Sequence, residues 1–433
     1  MSPMWNPACE SMPRAQLERL QLSRLATQIA RAGTLPVYRR RLEAAGLTQP
    51  DIRDLSEVPG LPLLTKDDLR EAYPYGFCAA PREDLVRVHA TSGTTGKLTV
   101  SPYTRADMDT WAELMARSLT ATGVTRDDVV HNAYGYGLFT GGLGFDLGGQ
   151  RVGCATIPIS GGLTARQLML IEDLRATVLT CTPSYALVLA EEAEAAGIDV
   201  RTRWALARGI FGAEPWTEAM RAEIESRLGL VAYDVYGLAE MIGPGVAIEC
   251  SARDGLHVFE DHFLAELIDP VTERVLPPGS TGELVLTALS REALPLVRYR
   301  TRDRVTLTHE PCACGRTMAR MSRVLGRTDD MLVVRGVNVF PSQIEDVLMR
   351  VAGLSAQYRI EVDRPRHRLD TLEVRVETST DLPAREAAEA LEREAARRLQ
   401  ASLGIGVRVT AVPPRSLERS QGKAVRVVDR RPS

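Results

Sequence analysis

The 433-residue chain contains no run of about 18 consecutive apolar residues, which excludes a membrane-spanning helix. It carries no large excess of charge. The formal net charge is −3, so neither a nucleic-acid-binding field nor a polybasic membrane patch is expected. Near the start, Glu10 and Arg14 stand without an apolar stretch, so no signal peptide is expected. A disulfide framework is also missing. The seven cysteines make an odd count, and they are scattered except for Cys312 and Cys314. That usage suits a reducing cytoplasm. Internal repeats and low-complexity tracts are absent too.

What is present is ordinary globular composition, 44% apolar and 25% charged, in a chain too long for one core of usual size. Two or more domains are expected. Residues 14–47 read as helical, with Leu17, Leu20, Leu25 and Ile29 on a rough helical period. From about residue 85, strands and helices alternate. Leu85 to His89, Val129 to Ala133, Val178 to Cys181 and a run ending at Ile210 to Gly212 read as strands. Thr104, Thr164 and Thr217 read as helix caps, Pro183 suits a first helical turn, and Gly229 a helix stop. This alternation predicts an α/β domain with mainly parallel sheet.

After about residue 245 the pattern changes. His257 to Ile268, Gly282 to Leu289 and Leu296 to Leu307 read as an added antiparallel β layer. From Met331 a small α+β unit is expected: a strand, a helix from Pro341 to Val351, strands at Tyr358 to Val362 and Leu372 to Val376, a helix over 384–403, and a strand at Val407 to Val412. The polar, glycine-led segment Gly326-Arg327-Thr328-Asp329-Asp330 lies between the blocks and reads as a hinge near Asp329. The expected domains are therefore 1–325 and 326–433.

The most informative stretch is Thr91-Ser92-Gly93-Thr94-Thr95-Gly96-Lys97. Two glycines allow a tight turn that brings backbone N–H groups to an anion, while four hydroxyls and a lysine add donors. Polyphosphate binding is implied; a hydroxyl-rich hairpin turn is the alternative. It is not a P-loop of the GxxxxGK[ST] kind, because Thr91 stands where the first glycine belongs and a strand-like run follows Lys97.

This loop resembles the phosphate loop of the adenylate-forming superfamily of acyl-CoA synthetases, peptide-synthetase adenylation domains and luciferases. Further stretches agree in order: Gly212-Ala213-Glu214-Pro215 with the adenine-side loop, Tyr236-Gly237-Leu238-Ala239-Glu240 with the aromatic-Gly-x-x-Glu motif, Tyr299 to Asp303 with the ribose motif, Gly326 to Asp330 with the hinge, and Arg419-Ser420-Gln421-Gly422-Lys423 with the C-terminal lysine motif. Within the superfamily, His131 to Gly142, Cys181 to Ala186 and Arg335 to Glu345 resemble the phenylacetate–CoA ligase family, and the resemblance covers nearly the whole chain.

The resemblance implies two stages: a carboxylate attacks the α-phosphorus of ATP, giving acyl-AMP and pyrophosphate, and a thiol, by default that of coenzyme A, then displaces AMP. Lys423 is implied as the catalytic ammonium bridging carboxylate and α-phosphate, opposing charge that grows in the transition state. Glu240 is implied as a holder of Mg²⁺, which prefers carboxylate oxygen beside phosphate and water. Ser92, Gly93, Thr94, Thr95, Gly96 and Lys97 are assigned to the phosphates. Gly212, Ala213, Glu214, Pro215, Tyr236 and Gly237 are assigned to adenine. Asp303 is assigned to the ribose and Arg327 to the ribose or phosphate, with a salt bridge from Asp303 to Arg300 or Arg302 as the plainer reading. Asp329 is the implied pivot of a rotating small domain, and the family's frequent dimerisation makes a homodimer the implied assembly.

The acyl pocket is expected around Tyr136, Phe139, Gly142, Ala213 and Ile242, with Gly141, Gly142 and Gly144 leaving room for a flat ring. No cation in these segments would meet a second carboxylate, so a mono-acid is expected. Two positions depart from the family pattern. Ala239 stands where a hydroxyl residue is common, and Asp146-Leu147 where His-Tyr is common. A buried carboxylate needs a partner, so Asp146 either meets a ring amine or hydroxyl on the substrate, or caps a helix or bonds Arg151 away from the ligand. The first case favours a hydroxy- or aminobenzoate whose acyl group passes to an amine, hydroxyl or carrier thiol. A non-catalytic nucleotide-binding regulator is a third reading, opposed by the presence of Lys423 and Glu240.

Cys312-Ala313-Cys314-Gly315 is a C-x-C knuckle, preceded by Cys250 and His257. Three cysteines and one histidine make a closed tetrahedral set for a structural zinc ion, and some relatives in the resembled family carry such a metal. Four unrelated residues is the alternative.

Overall fold

The computed structural model describes residues 3–48, 50–91, 98–335, 337–364, 370–380, 385–419 and 424–431. Among these, eleven strands form one hydrogen-bonded sheet. Its parallel half runs Ala155–Ile157, Val129–Asn132, Val178–Cys181, Arg208–Gly212, Val231–Leu238. Antiparallel strands then continue from Gly243–Glu249 through Leu256–Val258, Arg320–Met321, Tyr299–Thr308 and Thr281–Ala288 to Phe263–Ile268. The expected antiparallel layer is thus an extension of the parallel sheet's own hydrogen-bonded edge.

Side chains alternate across the parallel strands as a period of two requires. Val178 and Ile210 enter one core with Trp111, Met115 and the helix Arg14–Gly33. Leu179, Cys181 and Phe211 enter a second core with Leu187, Trp204 and Ile224. Helices therefore cover both faces, as parallel strands demand. Local signals set the helix ends. Thr104 and Asp107 form a capping box at Arg105–Ala121. Thr182 caps Pro183–Ala195, Thr217 caps Glu218–Leu228, and Gly229 closes the latter with φ +70°. Thr164 differs from expectation. Leu163, at φ +51°, begins the helix Thr164–Asp173 without a side-chain cap, and the Thr164 hydroxyl instead meets the Tyr185 hydroxyl at 3.2 Å. The N-terminal helical stretch is two helices, broken after Gly33 where Leu35-Pro36 starts the second.

The small domain has a four-stranded sheet in the order Arg408–Val412, Thr371–Thr378, Leu354–Asp363, Val427–Asp429. Helices Pro341–Leu348 and Arg385–Leu403 complete it around a separate core that includes Ile344, Leu348, Ile360, Val374 and Leu399. The first helix stops three residues short of expectation, and Met349, just beyond it, packs against the second core of the large domain beside Ala356.

Candidate active site

Loops at the carboxyl ends of the parallel strands surround a cavity of about 620 Å³. One end is aromatic. Tyr134, Phe139 and Phe145 line it, and Tyr134 and Phe145 stack at 5.2 Å between centroids. The other end is polar, with Lys66, Glu240, Asp303, Arg327 and Asp329 among its walls.

At the polar end Tyr236, buried at the tip of Val231–Leu238, donates its hydroxyl to Asp303 Oδ2 at 2.6 Å. Burial, with Asp303 beside it, pushes the Tyr236 phenol far up, so it remains a donor. Arg327 Nη1 donates to Asp303 Oδ1 at 2.8 Å, and its Nε and Nη2 donate to the two oxygens of Asp329 at 2.9 and 3.0 Å. Burial opposes the Arg327 cation, but Asp303 and Asp329 outweigh it and hold its pKa up. One guanidinium therefore ties Asp303 to Asp329, a fork geometry suited to arginine. The pairing to Arg300 or Arg302 weighed for Asp303 is not formed: Arg300 pairs with Glu283 and Glu273, and Arg302 lies 3.6 Å from Glu283.

Glu240 is only 3% exposed, far from a surface acid. Its Oε1 lies 3.2 Å from the ammonium of Lys66 and accepts from the Tyr299 hydroxyl at 3.3 Å. Lys66 opens the short helix Lys66–Glu71, capped by Thr65, and escaped the sequence reading. Nothing local marks it, because its partner is remote in sequence. Asp234 was missed for the same reason. This buried cavity-lining carboxyl is pushed up to about 8 by burial and by Glu249.

The adenine-side loop Ala213-Glu214-Pro215 borders the cavity, whereas Gly212 lies behind it. A Cβ on Gly212 would stand 2.1 Å from the Val235 carbonyl oxygen, so the two strands approach as only glycine allows. Ala213 sits at φ +69°, a strained conformation for alanine. Gly237 and Ala239 also face the cavity, and the Ser101 hydroxyl donates to the Ala239 carbonyl at 2.7 Å.

Of the residues assigned to the acyl pocket, Phe139 and Ala213 border the cavity; Tyr136, Gly142, Asp146 and Ile242 do not. The Tyr136 hydroxyl and the Gly142 carbonyl both accept from the Asn132 amide, at 2.8 and 2.7 Å. The Ile242 carbonyl accepts from Tyr103. Asp146 accepts from Gln150 at 2.7 Å, and burial raises its carboxyl. Of the glycines expected to leave room, Gly141 borders the cavity, but the space above Gly142 and Gly144 is filled by the protein itself. A Cβ on Gly144 would meet Trp111 at 2.8 Å and Pro244 at 2.6 Å, and one on Gly142 would meet Tyr136 at 2.7 Å.

Ser92, Gly93, Thr94, Thr95, Gly96 and Lys97 lie outside the described residues, as does Lys423. The strands on either side of the loop, Leu85–Thr91 and Thr99–Thr104, pair antiparallel with Thr91 opposite Thr99. Ala90 and Thr91 border the cavity. On the other flank, Ala424 donates its backbone N–H to Glu214 Oε2 at 2.8 Å.

Away from the cavity, Cys250, His257, Cys312 and Cys314 are all buried, with their ligand atoms within 4.8 Å of one another. Cys250 Sγ and Cys312 Sγ are 3.7 Å apart, and Cys314 Sγ is 3.3 Å from His257 Nε2. The first separation is far beyond an S–S bond of about 2.05 Å. It fits two sulfurs at about 2.3 Å from one tetrahedral ion, which stand roughly 3.7–3.8 Å apart. Donation from Cys250, and after it from His257, pulls the Cys314 thiol down toward thiolate.

Two family models match the chain: "AMP-binding enzyme" over residues 43–288 and "AMP-binding enzyme C-terminal domain" over residues 336–431. The first spans more than half of the chain, and with the cavity just described the class is that of an AMP-binding, adenylate-forming enzyme. Phenylacetate–coenzyme A ligases are close relatives. That of Aromatoleum evansii is 48% identical, with 98% of this chain and 96% of the relative covered. That of Thermus thermophilus is 46% identical, with 99% and 100% covered. The chain belongs to the phenylacetate–coenzyme A ligase family, and is an ATP-using acid–thiol ligase that forms an acyl-adenylate and then a thioester. Solved structures of 2-hydroxyisobutyryl-CoA ligase agree. The postadenylation state with R3-HIB-AMP gives a TM-score of 0.90 at 30% identity, covering 98% of this chain and 91% of the other. The thioesterification state with 2-HIB-AMP and CoA gives 0.74 at 31% identity, covering 99% and 92%. The domain arrangement here is thus more like the postadenylation one.

Proposed function

We propose that the chain converts an aromatic mono-acid, ATP and coenzyme A to the aryl-CoA thioester, AMP and pyrophosphate, with phenylacetate the leading substrate. The observation that carries this reading is the division of one cavity into the aromatic end at Tyr134, Phe139 and Phe145 and the polar end at Glu240, Asp303 and Arg327. The acid substrate comes from the relatives, four phenylacetate–coenzyme A ligases at 46–48% identity.

In the first step a carboxylate oxygen bonds to the α-phosphorus, and the bond to the bridging oxygen of pyrophosphate breaks. In the second the CoA thiol bonds to the acyl carbon, AMP leaves with the electron pair, and the thiol proton passes to solvent. Positioning and charge neutralisation do most of this work. Lys423 and the loop Ser92 to Lys97 would meet the phosphates, Asp303 and Arg327 the ribose, and Tyr236 with Ala213 to Pro215 the adenine. A single carboxylate beside phosphate oxygens and water is a protein's usual share of a magnesium–nucleotide site, so Glu240 fits that role. We assign residues 1–325 and 326–433 to the two domains, with Asp329 as pivot and Arg327 as the cross-brace that must loosen when the small domain turns. The donor set Cys250, His257, Cys312 and Cys314 fits a structural zinc ion, which would cross-link distant parts of the chain. Cytoplasmic location and a homodimer complete the reading. Asp146 accepts from Gln150 and does not border the cavity, which favours phenylacetate over a hydroxy- or aminobenzoate.

Pyrophosphate exchange across phenylacetate, benzoate, salicylate, anthranilate and hydroxyanthranilate tests the substrate. Phenylacetate should exchange fastest, and AMP release with it should require CoA. Faster exchange with a ring-substituted benzoate, or AMP release independent of CoA, contradicts the proposal.

A further inference from the structure

Glu214 stands in the adenine-side loop, yet neither of its oxygens is turned over to a nucleotide alone. Oε1 accepts the backbone N–H of Ser184 at 2.7 Å, in the first turn of the helix Pro183–Ala195. Oε2 accepts the backbone N–H of Ala424 at 2.8 Å. The carboxylate is thus a two-ended clasp between the large domain and the residue that follows Lys423. A second tie lies along the same helix. Arg419 Nε bonds Glu191 at 2.9 Å while its Nη2 bonds Glu377 of the small domain at 2.7 Å, and Arg415 donates to the Glu191 carbonyl at 2.9 Å. The helix Pro183–Ala195 therefore meets Arg415 and Arg419 directly and Ala424 through Glu214.

We propose that Glu214 is a positioning residue for adenylation. It acts through the Ala424 N–H to fix where the chain leaves Lys423, and it belongs to the adenylating domain arrangement only. Each of its hydrogen bonds is charge-assisted, so each is stronger than a neutral one. The helix N-terminus holds the carboxylate in place from the large-domain side. Only a carboxylate can accept both N–H groups. Glutamine at this position keeps one acceptor and turns an amide N–H₂ toward the other donor. The proposal rests on the reading of Lys423 as the adenylating ammonium.

The test compares Glu214→Gln with the parent protein in both half-reactions. Pyrophosphate exchange with phenylacetate reads adenylation. Thioester formation from presynthesised phenylacetyl-AMP and CoA reads the second step and shows that the variant is folded. The expected result is a fall in the exchange kcat of roughly 10- to 100-fold, the loss of one hydrogen bond to a charged group. The fall in exchange kcat should exceed any change in the KM for ATP or in the thioester rate, both of which report the loop's contact with adenine. A raised KM for ATP at unchanged kcat would mean that Glu214 only binds nucleotide, and equal loss in both half-reactions would mean a general structural role. Either overturns the proposal, as does an unchanged exchange rate. Lys423→Ala separates the two claims. If it keeps exchange, the reading of Lys423 falls and this proposal with it. If it loses exchange while Glu214→Gln does not, this proposal alone falls.

Discussion

The ammonium of Lys66 lies 3.2 Å from Glu240 Oε1, where the Tyr299 hydroxyl also reaches the same oxygen at 3.3 Å. A cation from near the start of the chain thus steadies the acid at the polar end of the cavity, in a setting where a bare carboxylate would be costly. Lys66→Met should lower adenylation on the order of 10- to 100-fold, as removal of one charged donor does at such sites. It should also lower the melting temperature slightly, because Glu240 loses its partner. Exchange kinetics and a thermal scan check both, and an unaltered exchange rate would exclude a role for this cation.

Tyr236 and Arg327 share Asp303 between its two oxygens. Tyr236→Phe removes one donor to that carboxylate and keeps the ring, which on the proposed function packs on adenine. The KM for ATP should rise several-fold, about the worth of one hydrogen bond. Arg327→Leu removes the ties to Asp303 and Asp329 together. It should raise the KM for ATP more and should also change how readily the small domain turns, which small-angle scattering with and without nucleotide would register.

Asp234 gives the clearest pH signature. Burial, and after it Glu249, push its folded carboxyl up to about 8, against roughly 3.9 in an unfolded chain. The folded state therefore holds the proton more tightly. This contribution to stability is complete below about pH 4 and is lost as pH rises through about 8. Between pH 6 and 9 the melting temperature should fall in the parent protein and fall less in Asp234→Asn. Identical slopes would place the titration elsewhere.

The cysteine–histidine set should behave as one metal site. Zinc near one equivalent per chain is expected by elemental analysis, with a lower melting temperature after exhaustive chelation. Cys312→Ser should reproduce the loss. A chain free of zinc whose melting is unmoved by chelators would leave the four residues as mere neighbours.

Much of the fold was legible because local chemistry and final structure agree. Thr104 and Thr217 cap helices, Pro183 opens one, Gly229 ends one, and the apolar runs at Val129 and Val178 are buried parallel strands, whereas Thr164 caps nothing. The strand Gly243–Glu249 was hidden by Gly243 and Gly245, both at positive φ, which break its alternation. Val427–Asp429 is three residues long and becomes a strand only by pairing with Leu354–Asp363. The site divides the same way. Motif acids such as Glu240 and Asp303 could be picked out because their neighbours in sequence mark them. Lys66, Asp234 and the second role of Glu214 could not, because each is defined by a partner far away in the chain. The acyl pocket was least legible. Glycines signal close packing as readily as open space: Gly141 borders the cavity, whereas Tyr136 fills the space at Gly142 and Trp111 and Pro244 that at Gly144.

The central claim is that one ammonium near the end of the chain drives acyl transfer to AMP and not the step after it. The direct measurement is Lys423→Ala assayed separately for pyrophosphate exchange with phenylacetate and for thioester formation from presynthesised phenylacetyl-AMP. The account predicts exchange reduced by on the order of a hundredfold or more, with the thioester step near the parent rate. Equal reduction of both steps, or exchange at the parent rate, would contradict it.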